Sequence, residues 1–252
     1  MGSPPKWNRP ADDTGSKPVA IKFIEPCLAT LHRAVPKGEA WLHEIKFDGY
    51  RLQAHLSNGT ATLYTRSGLD WTQKFRAIAQ RIARLKAKSL VIDGEVIVQD
   101  ENGHARFGLL QTAISEGRSE DMLFYGFDLL HINGVDRCGE PLIERKRQLA
   151  NLLAKLPKTS RIQYSEHVPG DDGRHLFEQA CRMELEGIIS KKSAAPYRSG
   201  RRRLAQGQVC TTRHLRNYRI REGRGRRLRR DASRKAGAGK AALHWQGRHR
   251  LE

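Results

Sequence analysis

Cysteine is scarce in this 252-residue sequence: Cys27, Cys138, Cys181 and Cys210 stand far apart and form no CxxC pair. That spacing excludes a zinc ribbon or a disulfide framework and fits a reducing compartment. No run of 18 apolar residues occurs, so no membrane-crossing helix is expected. The opening MGSPPKWNRPADDTGSKP lacks the apolar stretch of a secretory signal. Together these absences predict a cytoplasmic protein. A glycine-rich phosphate loop of the P-loop or dinucleotide type is also missing, so any nucleotide must be held by another device. There is no internal repeat.

What is abundant is positive charge, a net +19 at pH 7. Its distribution says more than its total. Residues 201–252 hold 17 Lys/Arg against 3 Asp/Glu, whereas the first 200 residues hold 29 against 24. The bulk of the chain is therefore only mildly basic, and most of the charge lies at one end.

Residues 1–20, rich in proline, glycine and charge, are expected to form a flexible leader. From Ile21 to about Arg201, strand and helix signals alternate. AWLHEIK and YRLQAHL flank the turn Phe47-Asp48-Gly49 as a hairpin, and Asn58-Gly59 introduces a third strand, TATLYTRSG. KFRAIAQRIARLKA puts Phe75, Ile78, Ile82 and Leu85 on one helical face. SLVIDGEVIVQD reads as a strand interrupted at Asp93-Gly94. FGLLQTAIS reads as a short helix, MLFYGFDLLHING as a buried strand and PLIERKRQLANLLAKL as an amphipathic helix. RIQYSEHV, DDGRHLFEQACRM and EGIISKK add a strand, a helix and a strand. Hairpins with interspersed helices predict an α+β domain over residues 21–203, built on antiparallel sheets and not on doubly wound βαβ units.

Apolar strands break at a charge in four places: Lys46 in WLHEIKFDGYR, Glu95 in VIDGEVIV, Asp128 in FYGFDLL and Glu186 in LEGIISKK. A carboxylate inside a strand core is costly unless it is paired or holds a metal. Each break alone reads more often as an exposed edge or hairpin charge than as a functional group. Taken together they suggest two glutamates sharing Mg²⁺, an ion that prefers oxygen ligands and bridges substrate phosphates. A lysine beside that ion would have its pKa lowered from about 10.4, as a nucleophile requires.

KFDGYR resembles the adenylation motif K-x-D-G-x-R of covalent nucleotidyltransferases: ATP-dependent DNA ligases, RNA ligases and mRNA capping enzymes. Further family-like motifs follow in order: TRSG (65–68), DGEV (93–96), FYGFD (124–128) and EGIISK (186–191). With FIEPCLATL and TRSGLDWT, the wording over roughly residues 20–201 is most similar to the ligase domain of bacterial ligase D-type DNA ligases. This resemblance implies a nucleotidyltransferase (ATP-grasp-like) adenylation domain of antiparallel sheets with flanking helices. It implies that Lys46 attacks the α-phosphate of ATP and carries AMP. Arg51 and Arg66 would hold the ribose and phosphates. Phe127 would stack on the adenine, Glu44 would lie beside the base, and Lys191 would also contact the nucleotide. Glu95 and Glu186 would hold Mg²⁺ or Mn²⁺. The implied partner is nicked or broken double-stranded DNA, met by a monomer in the bacterial cytoplasm and nucleoid. End-joining polymerase or nuclease domains, or a Ku-like protein, would work beside it. Two rival readings are an RNA ligase or capping-type enzyme, and a DNA-binding remnant without turnover.

Past the second carboxylate, family members carry a WLKVKC-type motif whose lysines contact the α-phosphate, then a DNA-clamping OB domain. Here Arg203 is followed by LAQGQVCTTRHLRNYRIREGRG and further arginine-rich sequence. One reading is a solvated basic tail that aids DNA binding. The other comes from the genetic code. Leu204–Cys210 can be encoded CTG GCT CAA GGT CAA GTG TGC, which read one nucleotide later gives W-L-K-V-K-C. Arg213–Arg219 can likewise shift to G-T-F-V-I-I-G, and Leu243–Arg250 to Y-T-G-K-A-G-T-G. The expectation is therefore a disordered, out-of-frame tail over 204–252 in place of the last motif and the OB domain.

Overall fold

The computed structural model describes residues 21–157, 159–200 and 207–211, the last five by backbone alone. The expected leader and most of the expected tail lie outside the described residues. In chain order the first elements are β1 (Thr30–Leu31), β2 (Trp41–Lys46), β3 (Tyr50–Ser57), β4 (Thr60–Thr65), α1 (Arg76–Ile82) and β5 (Ser89–Ile97). There follow α2 (Phe107–Ser115), β6 (Leu123–Ile132), β7 (Val135–Asp136), α3 (Leu142–Leu153), β8 (Ile162–Tyr164) and β9 (Val168–Pro169). The last are α4 (Gly173–Arg182), β10 (Gly187–Lys192) and β11 (Gly207–Thr211). The class is α+β. A five-stranded sheet runs β1-β11-β10-β2-β9, and a six-stranded sheet runs β4-β3-β5-β6-β7 with β8 added beside β6.

Period-two alternation divides the larger sheet into an oily face and a charged one. Leu52, Ala54 and Leu56 of β3, Leu90, Ile92 and Val96 of β5, and Phe124 and Leu129 of β6 share one buried core. Phe75, Ile78 and Ile82 from α1 and Leu149 and Leu153 from α3 close it. Each fully buried aliphatic or aromatic side chain contributes about 1.5–3 kcal/mol there. The intervening residues Arg51, Asp93 and Glu95 are thereby sent to the opposite face. That face is where the chemistry gathers.

Three local expectations need correction. The strands around Phe47-Asp48-Gly49 are not a hairpin: β2 pairs with β10 and β9, while β3 pairs with β4 and β5. The turn carries the chain from one sheet to the other. Nor does Asp93-Gly94 interrupt β5. The strand is continuous, and the irregularity is a bulge on β6: Gly94 pairs with Gly126 but Asp93 with Asp128, leaving Phe127 as the extra residue. Finally, the backbone of Gly207–Thr211, placed by sequence in a disordered tail, forms β11 antiparallel to β10 and parallel to β1. The edge of β10 presents main-chain donors and acceptors that a non-proline segment can satisfy whatever its side chains.

Candidate active site

Lys46 is the last residue of β2, opposite Gly187 of β10, so the preceding Glu186 reaches its ammonium and the two form an ion pair. Their side chains remain 26% and 29% exposed. They line a cleft of about 870 Å³ together with Gln99, His104, Arg106 and Arg182. The turn after Lys46 is clamped. Phe47 stacks on Tyr125 with ring centroids 4.3 Å apart. A Cβ at Gly49 would stand 2.2 Å from the Val96 carbonyl oxygen, so only glycine lets the turn lie against β5.

On the charged face of the larger sheet, Arg51 grips Asp93 with two prongs, Nε to Oδ1 at 3.0 Å and Nη2 to Oδ2 at 2.7 Å. Its third nitrogen donates to the Cys27 carbonyl at 2.6 Å. Asp93 is wholly buried and also accepts the Tyr197 hydroxyl at 2.8 Å. Burial opposes charge on Arg51, but the adjoining Asp93 carboxylate outweighs it and raises the guanidinium pKa. Glu95, two residues along β5, has no such partner among the described residues. Burial pushes its carboxyl up to about 8, with Arg51 and Lys46 pulling the other way and Asp93 and Glu186 adding to the rise.

Below this layer lies an ion triad. Glu44 shares a face of β2 with Lys46 and is 2% exposed. Its carboxylate takes Lys146 of α3 at 3.0 Å and Lys191 of β10 at 3.0 Å to both oxygens. Burial would raise the Glu44 pKa, but the two ammonium groups together lower it. Lys191 also stands 4.4 Å from the Phe127 ring centroid, and the Arg51 guanidinium lies 5.3 Å from the same ring. The β6 bulge at Phe127 is thus flanked by two cations.

Of the residues singled out by sequence, Lys46 meets Glu186, and Glu44, Lys191, Phe127 and Arg51 form a contiguous set. Glu95 lies within the fields of Lys46 and Glu186. Arg66 stands exposed in the turn after β4, outside these contacts. Asp128 is not part of the constellation: with Arg145 it makes a buried two-pronged pair at 2.7 and 2.9 Å that ties β6 to α3. Sequence reasoning missed Asp93, Tyr197 and Lys146. For Lys146 a signal existed, since Arg145 and Lys146 occupy the buried stripe of α3 between Leu142 and Leu149.

The charge set fits a divalent cation modestly. Among the described residues no group of three or more His, Cys, Asp or Glu converges on one point. Glu186 pairs with the Lys46 amine, and Glu95, within the field of both, is driven toward its neutral form by burial. That matches an ion held by one or two protein oxygens with the rest supplied by phosphates and water.

Comparison with known proteins agrees with this geometry. Residues 24–206 match the family described as ATP dependent DNA ligase domain. The multifunctional non-homologous end joining protein LigD of Pseudomonas aeruginosa is 37% identical over 188 residues, covering 75% of this chain and 22% of that protein. A probable DNA ligase of Mycobacterium avium is 30% identical over 196 residues, covering 74% of this chain and 36% of that protein. The solved ligase domain of M. tuberculosis LigD superposes with a TM-score of 0.65 at 30% identity, over 75% of this chain and 60% of that one. A mycobacterial DNA ligase D complexed with ATP and MES gives 0.64 at 30% identity, over 76% and 62%. The chain therefore spans 22% and 36% of the two curated relatives. With residues 24–206 matched, the chain belongs to the ATP-dependent DNA ligase domain family.

Proposed function

We propose that this chain is an ATP-dependent DNA ligase of the end-joining type that works through a covalent lysyl-AMP. The observation that carries the reading is Lys46 at the mouth of the 870 Å³ cleft, paired with Glu186 and within the field of Glu95. The ammonium gives up its proton to solvent, which leaves the Glu186 carboxylate free for the cation. The Lys46 nitrogen then bonds to the α-phosphorus of ATP as the bond to pyrophosphate breaks. AMP next passes to the 5′-phosphate at a DNA nick, and the 3′-hydroxyl displaces it as the strand closes. Phe127 offers the base an aromatic face and Glu44 an acceptor at its edge. Arg51, locked by Asp93, presents a fixed positive charge to the ribose and phosphates, and exposed Arg66 would reach the phosphates from the turn after β4.

Glu95 and Glu186 would hold Mg²⁺ or Mn²⁺, which when bound neutralises charge on the phosphates. The substrate would be nicked or broken duplex DNA, with end-joining polymerase or nuclease domains or a Ku-like protein as partners, in the bacterial cytoplasm and nucleoid. Residues from about 204 onward would be the out-of-frame remainder of the lysine motif and OB domain. Sealing would then be weaker than adenylation. Incubation with ATP labelled at the α-phosphate and Mg²⁺, then denaturing electrophoresis, tests the reading: wild-type protein takes up label and Lys46→Ala does not. Label retained by the Lys46→Ala protein would overturn it. A nicked-DNA substrate against a nicked-RNA one then checks the polymer. The nucleotide sequence over 204–219 checks the frame, which stands only if the shifted codons spell W-L-K-V-K-C and an apolar strand.

A further inference from the structure

Two cations hold Glu44, and they differ. The Lys191 side chain is 17% exposed and, with Phe127 and Arg51, lines a second and smaller cavity of about 80 Å³, where an incoming base would meet it. The Lys146 side chain is 0% exposed. It is fixed from beneath by the Ser165 carbonyl at 3.0 Å and the Phe127 carbonyl at 3.4 Å, with the Tyr164 ring 4.7 Å away. The Ser165 hydroxyl approaches Glu44 Oε2 at 3.4 Å, and His167 lies within the field of all three charged groups. A base entering over Phe127 must move the Lys191 ammonium aside. The Lys146 ammonium cannot follow, because helix α3 and two carbonyl oxygens hold it.

We propose that Lys146 is a specificity-determining positioning residue that keeps Glu44 an ionised, acceptor-only carboxylate after Lys191 is displaced. An acceptor-only group in a dry pocket requires a donor opposite it. Adenine brings an exocyclic amine to that edge, whereas guanine brings a carbonyl oxygen at the same ring position, and two facing acceptors with no proton between them are rejected. Lys191 already plays the part of that amine: an N–H donor to Glu44 lying over the aromatic face. Without Lys146, the carboxyl left by Lys191 would take up a proton more readily and could then donate to guanine. The inference rests on the nucleotide-binding reading above.

The test is calorimetric binding of ATP and GTP, each in metal-free buffer so that no adenylate forms, to the full chain and to Lys146→Met. The wild-type chain is expected to bind ATP at least about tenfold more tightly than GTP. In Lys146→Met the two dissociation constants should fall within about threefold of each other. A role confined to packing would weaken both nucleotides alike and leave the ratio unchanged, which would overturn the proposal. Lys146→Gln, whose amide can still reach the Ser165 carbonyl, serves where Lys146→Met does not fold, with the same loss of preference expected and the same retained ratio contradicting it. A wild-type chain that binds neither nucleotide would instead sink the functional reading itself.

Discussion

Replacing Asp93 by Asn removes a single charge and alters little else. Asp93 is 0% exposed and serves two prongs of Arg51 and the Tyr197 hydroxyl. The amide cannot neutralise the guanidinium, which is held beside Phe127 and the Cys27 carbonyl. Breaking a buried pair by removing one partner costs about 3–5 kcal/mol. In a domain of this size each kcal/mol moves the melting temperature by about 2–4 °C, so Asp93→Asn should melt about 6–20 °C lower. Tyr197→Phe removes a hydrogen bond to the charged Asp93 acceptor, worth about 1.5–3 kcal/mol, and also the acceptor of the Cys27 N–H at 3.0 Å. Differential scanning calorimetry reads both. An Asp93→Asn protein melting within about 2 °C of wild type would refute the claim that this pair anchors the site.

Other outcomes follow from the same contacts. Because burial raises Glu95 to about 8, the folded state keeps a proton that the unfolded chain releases near pH 4.3. Its stabilising contribution is complete below about pH 4.3 and is lost as pH rises through 8, on the order of 5 kcal/mol. Melting scans in metal-free buffer should show that decline in wild type and a flatter profile in Glu95→Gln. Gly49→Ala should destabilise by about 1–3 kcal/mol, since its Cβ would meet the Val96 carbonyl; chemical denaturation that finds no change would mean the turn is not pressed against β5. Asp128→Asn should lower stability by about 3–5 kcal/mol by stranding Arg145, as urea titration can establish.

The sequence made much of this site readable, for identifiable reasons. Catalytic-type charges stood inside apolar strands, where the cost of burial makes them conspicuous, and five motifs kept their order. What it concealed was relational. Nothing local says that the strands on either side of Phe47-Asp48-Gly49 enter different sheets, because pairing partners lie far along the chain. Asp93-Gly94 carries turn chemistry, yet Gly94 serves a close approach instead: a Cβ there would stand 2.4 Å from the Phe124 ring. Asp128 looked like Glu95 and Glu186 in kind, and only its partner on α3 separates this structural carboxylate from Glu186 at the cleft. Lys146 showed the reverse case, a charge in an apolar stripe whose counter-ion, Glu44, lies 102 positions earlier in the chain.

The central claim is that Lys46 is the residue that becomes bonded to AMP. Wild-type protein incubated with ATP and Mg²⁺, digested at neutral pH to protect an acid-labile phosphorus–nitrogen bond, and sequenced by tandem mass spectrometry tests it most directly. The account predicts an adenylate on the peptide containing WLHEIKFDGYR, localised to Lys46. An adenylate localised to Lys146, Lys191 or any other residue, with Lys46 unmodified, would contradict it.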